Sequence, residues 1–148
     1  MKIGVTGTST GVTPAQLATA WELLSYVNAT ELHHGDCTGA DAACHRIVCD
    51  TRLKRRVNDL PFTRIIIHPP DNDTKRAFCR EYDDIREPLP YLVRNRAIVA
   101  ASDLLVAIPR TAAEELRSGT WATIRYARDA VIPVMIIEPD GSWRLNKV

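Results

Sequence analysis

Three short segments rich in Gly, Ser and Thr hold the most readable chemistry of this chain: Thr6-Gly7-Thr8-Ser9-Thr10-Gly11, Gly35-Asp36-Cys37-Thr38-Gly39-Ala40-Asp41 and Ser118-Gly119-Thr120. Each follows a hydrophobic run and opens a helix-like stretch. A helix start presents unpaired backbone N–H groups and the positive end of the helix dipole, so such a loop holds an anion without a formal charge. Glycine lets the backbone come close, and Ser or Thr adds a hydroxyl. One turn of this kind is ordinary punctuation between strand and helix. Three in 148 residues point to a phosphate-bearing ligand.

The binding candidates are therefore Gly7, Thr8, Ser9 and Thr10 from the first loop, Gly35, Asp36, Gly39 and Asp41 from the second, and Ser118, Gly119 and Thr120 from the third. Asp36 and Asp41 have two readings, as contacts to ribose hydroxyls or as caps of the following helix. Arg94, near a helix start, either clamps a phosphate or carboxylate or lies on the surface, and Asn95 either reads a ligand edge or is a buried structural amide. Trp121 stacks on a base or belongs to the core, where its spacing with Ile124 would place it.

Other reactive residue types show less pattern. Cys37, Cys44, Cys49 and Cys79 have no Cys-x-x-Cys spacing and read as free thiols. His33 and His34 are adjacent, so on a strand they point to opposite faces, and with His45 and His68 they form no zinc-like spacing. They read as satisfied strand or surface histidines, His68 being the least ordinary because it ends an apolar run before Pro69-Pro70. Neither a metal nor a separate cofactor is called for. The run Arg52, Lys54, Arg55, Arg56 reads as a solvated helix end.

The elements that position these residues follow from periodicity. Ile3-Gly4-Val5 is a short strand, and Thr13-Pro14 is an N-cap with proline at the first helical position. Leu17, Trp21 and Leu24, with Ala20 and Val27 beside them, predict a helix with that buried face. Thr30 to His34 is a second strand, and Ala40, Ala43, Ile47 and Val48 mark a second helix, which the basic run follows. Phe62 to His68 is a strand buried on both faces. Residues 69–90 have no period and read as a lid loop. Tyr91 to Ala101 is a helix, Leu104 to Ile108 a strand, Thr120 to Ala130 a helix and Ile132 to Ile137 a final strand.

This order predicts a single α/β domain over residues 1–148, a doubly wound parallel sheet of about five strands in the order 3-2-1-4-5 with helices on both faces. In that order the first and fourth strands are neighbours, and the crevice opens where the winding reverses. The first and third loops end on it and the second flanks it. Loops far apart in sequence thus converge on one ligand.

Composition limits the partners. Nineteen basic and 18 acidic residues leave a net charge of +1, which argues against a dedicated nucleic-acid binder. No apolar run is long enough to span a bilayer, and Met1-Lys2-Ile3-Gly4-Val5 lacks a signal-peptide layout, so a cytoplasmic setting is expected.

The segment Gly35 to Asp41, the pair Arg94-Asn95 before Ala101-Ser102-Asp103-Leu104-Leu105-Val106-Ala107, and Ser118-Gly119-Thr120 before Ile132-Pro133-Val134 resemble the SLOG superfamily. That group includes the lonely-guy phosphoribohydrolases, the bacterial YspA-like proteins and the DNA-processing protein A core. The likeness runs over almost the whole chain and is greatest to the YspA-like branch. It implies a Rossmann-like fold, a nucleotide-derived ligand such as ADP-ribose, and a homo-oligomer. Lonely-guy enzymes carry Pro-Gly-Gly-x-Gly-Thr-x-x-Glu. Here Pro109 stands at its start and Gly119-Thr120 at its end, Arg110 to Arg117 are inserted, and Thr123 occupies the position of the Glu. A threonine supplies no carboxylate. The expectation is therefore binding or sensing of a nucleotide-derived ligand. The alternative is a nucleotide N-glycosidase or related transferase, with Glu114, Glu115 or Asp41 as its catalytic carboxylate.

Overall fold

The structure is a computed structural model describing residues 1–146, so positions 147 and 148 of the expected domain lie outside the described residues. Its strands are β1 (Lys2–Gly7), β2 (Glu31–His34), β3 (Arg64–Ile67), β4 (Asp84–Ile85), β5 (Leu104–Ile108), β6 (Val134–Ile137) and β7 (Trp143–Asn146). They form one sheet in the order β4-β3-β2-β1-β5-β6-β7. Every pairing is parallel except β6 with β7. The five expected strands make up its centre in the expected order, and the sheet has two strands more. β4 is two residues long, too short to show a pattern. β7 is four residues long and largely exposed, so its alternation of Trp143 and Leu145 with Arg144 and Asn146 is too brief to mark a strand. It returns from β6 through a turn in which Gly141, at φ +85°, donates to the Glu138 carbonyl.

Four helices cover the sheet: α1 (Pro14–Tyr26), α2 (Ala40–Val57), α3 (Tyr91–Ala100) and α4 (Gly119–Asp129). α1 and α2 pack on one face, where Ala20, Leu24, Cys44 and Ile47 meet Ile3, Val5, Val106 and Ile108. α3 and α4 pack on the other, where Val99, Trp121 and Ile124 meet Leu105, Ala107, Val134 and Ile136. Alternate residues of β5 thus enter opposite cores, as the strand period of two requires.

α1 starts with a complete capping box. The Thr13 hydroxyl accepts from the Gln16 N–H, and the Gln16 side chain accepts from the Thr13 N–H. Its buried stripe differs from the one expected. Leu17 and Trp21 are each more than a third exposed, while Gln16, Ala20 and Leu24 face inward. The reason is polar. Gln16 Nε2 donates to the carbonyls of Pro109 at 2.8 Å and Ile137 at 3.0 Å, satisfying the chain where it leaves β5 and β6. The basic run lies inside α2 rather than after it, with Lys54, Arg55 and Arg56 in the last turn, where they complement the dipole.

Residues 69–90 contain a single 3-10 turn (Asp73–Lys75) and β4. The segment is held by polar bonds. Asp36 anchors it at several points, and Arg52 reaches Asp83 at 3.0 Å.

Candidate functional site

β1 and β5 are neighbours from which the chain winds outward in opposite directions, so a crevice opens beyond their carboxyl ends. A cleft of about 600 Å³ lies there, lined by Gly7 to Thr10, Asp41, Arg94, Asn95 and Ser118 to Thr120. The first and third loops converge as the sequence implied. Gly35, Asp36 and Gly39 do not line the cleft, although Cys37 and Asp41 of the same segment do.

The first loop is stitched to its neighbours. Thr8 N–H donates to the Ile108 carbonyl at 2.9 Å, and the Thr8 carbonyl accepts from Ala40 N–H at 3.0 Å. The Thr38 hydroxyl donates to the Ser9 carbonyl at 3.2 Å. The N-terminus of α2 is therefore committed in part to the first loop. Gly39, at φ +83°, sits so close to Thr8 and Ser9 that a side chain would collide with their backbone.

The start of α4 is open by comparison. Ser118 Oγ accepts from Trp121 N–H at 3.3 Å and the Ser118 carbonyl from Ala122 N–H at 2.9 Å. The N–H groups of Gly119 and Thr120 have no partner among the described residues. A Cβ added to Gly119 would meet nothing within 4 Å. Two unpaired N–H groups at the positive end of a helix, with open space before them, have the chemistry to accept an anion. Arg110 and Arg117 line the same cleft, and Arg110 reaches Glu115 at 3.5 Å.

The floor is of another kind. Arg94 is only 3% exposed. Its Nη1 donates to the carbonyls of Gly35 and, at 3.0 Å, His68, bridging the ends of β2 and β3. Its Nη2 approaches Cys37 Sγ at 3.6 Å. Gly35 is glycine because a Cβ there would strike the guanidinium. Asp41 Oδ2 accepts from the N–H groups of Gly35 and Cys37, both at 3.1 Å, while its Oδ1 has no partner among the described residues. Burial pushes the Asp41 carboxyl up to about 6, against the opposing pull of Arg94 and of the two N–H groups. Burial likewise raises the Cys37 thiol, which stays protonated.

Asp36 is a structural anchor. Its N–H donates to His34 Nδ1 at 3.1 Å and its carbonyl accepts from Ala77 at 2.7 Å. Its carboxylate oxygens accept from Cys79 N–H and Arg76 Nε, each at 2.8 Å. Through these bonds it holds the segment that carries Asn72, Thr74 and Lys75 to the cleft wall. Spacing gave no sign of those three residues, nor of Tyr91 on the same wall.

The remaining carboxylates and Trp121 separate cleanly. Glu115 lines the cleft; Glu114 does not, and pairs on the surface with Arg125 at 2.9 Å and Arg128 at 3.4 Å. The Arg125 hydrogen bond lowers the Glu114 carboxyl. Thr123 is wholly buried, donates to the Gly119 carbonyl at 2.8 Å and does not face the cleft. Trp121, 2% exposed, is a core residue and not a base-stacking platform.

The histidines pair across β2. His33 Nδ1 and His68 Nε2 lie 2.9 Å apart on one face, and His34 Nε2 and His45 Nδ1 lie 3.0 Å apart on the other. All four are buried.

No protein-family description and no curated protein sequence matches the chain. Solved structures do. The molybdenum cofactor binding protein from the phototrophic bacterium Rippkaea orientalis superposes with a TM-score of 0.65 at 20% identity, over 93% of this chain and 76% of that one. DNA processing protein A from Streptococcus pneumoniae gives 0.66 at 18% identity, over 91% of this chain and 49% of that one, so the chain spans about half of its length. The structural-genomics target TM1055 gives 0.59 at 17% identity, over 90% and 71%. At these identities the likeness establishes the fold alone, a Rossmann-like α/β fold shared with DNA processing protein A. No helix among the described residues is long and apolar enough to cross a membrane.

Proposed function

We propose that the cleft binds a nucleotide or nucleotide-derived ligand of the ADP-ribose kind, with a phosphate seated on the N–H groups of Gly119 and Thr120. The observation that carries this reading is the open start of α4, where two unpaired N–H groups and an unobstructed glycine face the cleft alongside Arg110 and Arg117. The volume of about 600 Å³ is in the range of small-molecule sites. The molybdenum cofactor binding protein that shares the fold supports a small-molecule ligand in this architecture. The reading keeps the chain in the YspA-like branch, as a cytoplasmic homo-oligomer.

Binding without cleavage is preferred because neither Thr123 nor Glu114 reaches the cleft. Cleavage of an N-glycosidic bond is the second reading, and the carboxylates of Asp41 and Glu115, both on the cleft, favour it. A titration with ADP-ribose and nucleoside monophosphates, on the native chain and on Gly119→Leu, tests the proposal. Gly119 has no positive φ and no neighbour to displace, so the variant keeps the fold while its side chain covers the seat. Affinity falls at least tenfold. Equal affinity of the two proteins overturns the phosphate seat, and release of free base from bound monophosphate favours the glycosidase.

A further inference from the structure

The cleft makes opposite demands at its two ends. At the α4 end it offers donors and cations. At the floor it offers a carboxylate oxygen, Asp41 Oδ1, and the side-chain amide of Asn95, neither with a hydrogen-bond partner among the described residues. Both residues are more than nine-tenths buried, Asp41 at 6% exposure and Asn95 at 8%. The unpartnered side-chain atoms that are fully sealed from solvent are those of Ser25, Arg94, Trp121 and Glu138. The free atoms of Asp41 and Asn95 are not among them, so the small exposure of these two residues opens on the cleft they line. A buried polar group without a partner costs free energy until something bonds to it.

Asp41 follows β2 and Gly119 follows β5, strands on either side of β1, and both residues line the one cleft. A ligand bridging these ends is anionic at one end and donates hydrogen bonds at the other. A second phosphate is disfavoured at the floor, because its negative charge would face the Asp41 carboxylate. A sugar hydroxyl can donate to Asp41 Oδ1, and its neighbour can exchange a hydrogen bond with the Asn95 amide.

We propose that Asp41 and Asn95 read the vicinal diol of a ribose, making the cleft selective for ribonucleoside 5′-phosphates over their 2′-deoxy counterparts. This rests on the phosphate seat proposed above and adds the sugar to it. Asp36 cannot substitute, since both of its carboxylate oxygens are already bonded to Arg76 and Cys79.

The test is calorimetric titration of the full chain with the common ribonucleoside 5′-monophosphates and their 2′-deoxy forms, with inorganic phosphate as competitor. The native chain binds the ribo forms at least tenfold tighter. In Asp41→Asn the amide oxygen still accepts from Gly35 and Cys37, but the cleft-facing atom becomes a donor. Ribo affinity then drops to the deoxy level, while competition by phosphate is unchanged. Equal binding of ribo and deoxy forms by the native chain overturns the inference and leaves the phosphate seat standing. A preference that survives in Asp41→Asn also overturns it. Binding of neither nucleotide set removes the proposed function and this inference together. The native ratio is decisive on its own should the variant fail to fold.

Discussion

At the scale of single residues, the cleft is defined by which polar groups remain free. Gly35 and Gly39 sit within the motif that marks the second loop, yet their missing side chains make room for Arg94 and for the first loop. Gly119 opens on empty space, as does Gly11, but only Gly11 needs the positive φ that favours glycine. Thr123 carries the same lesson. Its hydroxyl is bonded to the Gly119 carbonyl inside a sealed core beside Trp121 and Ile124, so a glutamate there would be a buried, unpaired charge and not a restored catalytic group. Thr123→Glu should cost about 3 kcal/mol or more of stability and produce no base release from adenosine monophosphate. Urea denaturation checks the first outcome and product chromatography the second; a stable, hydrolytically active variant would contradict the placement. Residue types and spacing made the loops that line the cleft legible in the sequence. The free groups were not legible, because a backbone N–H or carboxylate oxygen is free only if no distant segment reaches it. Ala40 N–H is capped by Thr8, a partner 32 positions away.

At the scale of elements, the central strands were readable because their apolar runs are continuous or alternate. The 69–90 segment was not, because polar bonds to Asp36 and Arg52 hold it without a repeating apolar face. Asp36 itself has φ +57°, and Phe78 and Glu81 in the segment have φ of +53° and +65°, values that bulky residues adopt at a cost of about 1 kcal/mol or more each. Such a segment is held tightly at its anchor and weakly elsewhere, which suits a cover over the cleft. Amide exchange followed by mass spectrometry separates the parts. Asp36→Ala should speed exchange across residues 76–81 by at least tenfold and leave 84–86, paired along β3, unchanged. Added adenosine monophosphate should slow exchange at 72–75, where Asn72, Thr74 and Lys75 line the cleft. Protection at 72–75 that is identical with and without nucleotide identifies a fixed wall.

At the scale of the whole molecule, the sheet order followed from the alternation of strands and helices, whereas β7 escaped because its alternation spans only four residues, Trp143 to Asn146, and is largely exposed. The histidine pairs were equally unreadable, since they depend on β2 lying between β3 and α2. Their burial predicts an acid response. Burial lowers the titration of His33, His34 and His45, and takes His68 down to about 4. An unfolded chain takes up these protons near 6.5 and the folded one only at lower pH. Their contribution is therefore complete above 6.5 and is lost as pH falls; for His68 the loss approaches about 3 kcal/mol. Asp41 works the other way. Raised from 3.8 to about 6, it favours the folded state as pH falls through that window, by about 3 kcal/mol when complete. One carboxyl offsets one histidine, and the other three histidines leave a net loss in acid. Urea midpoints measured at pH 7, 6 and 5 should fall in that order for the native chain. They should fall more steeply for Asp41→Asn, which lacks the opposing group, and less steeply for His68→Gln. Midpoints that stay level or rise towards pH 5 in the native chain would show that the histidine pairs take up protons without opening the fold.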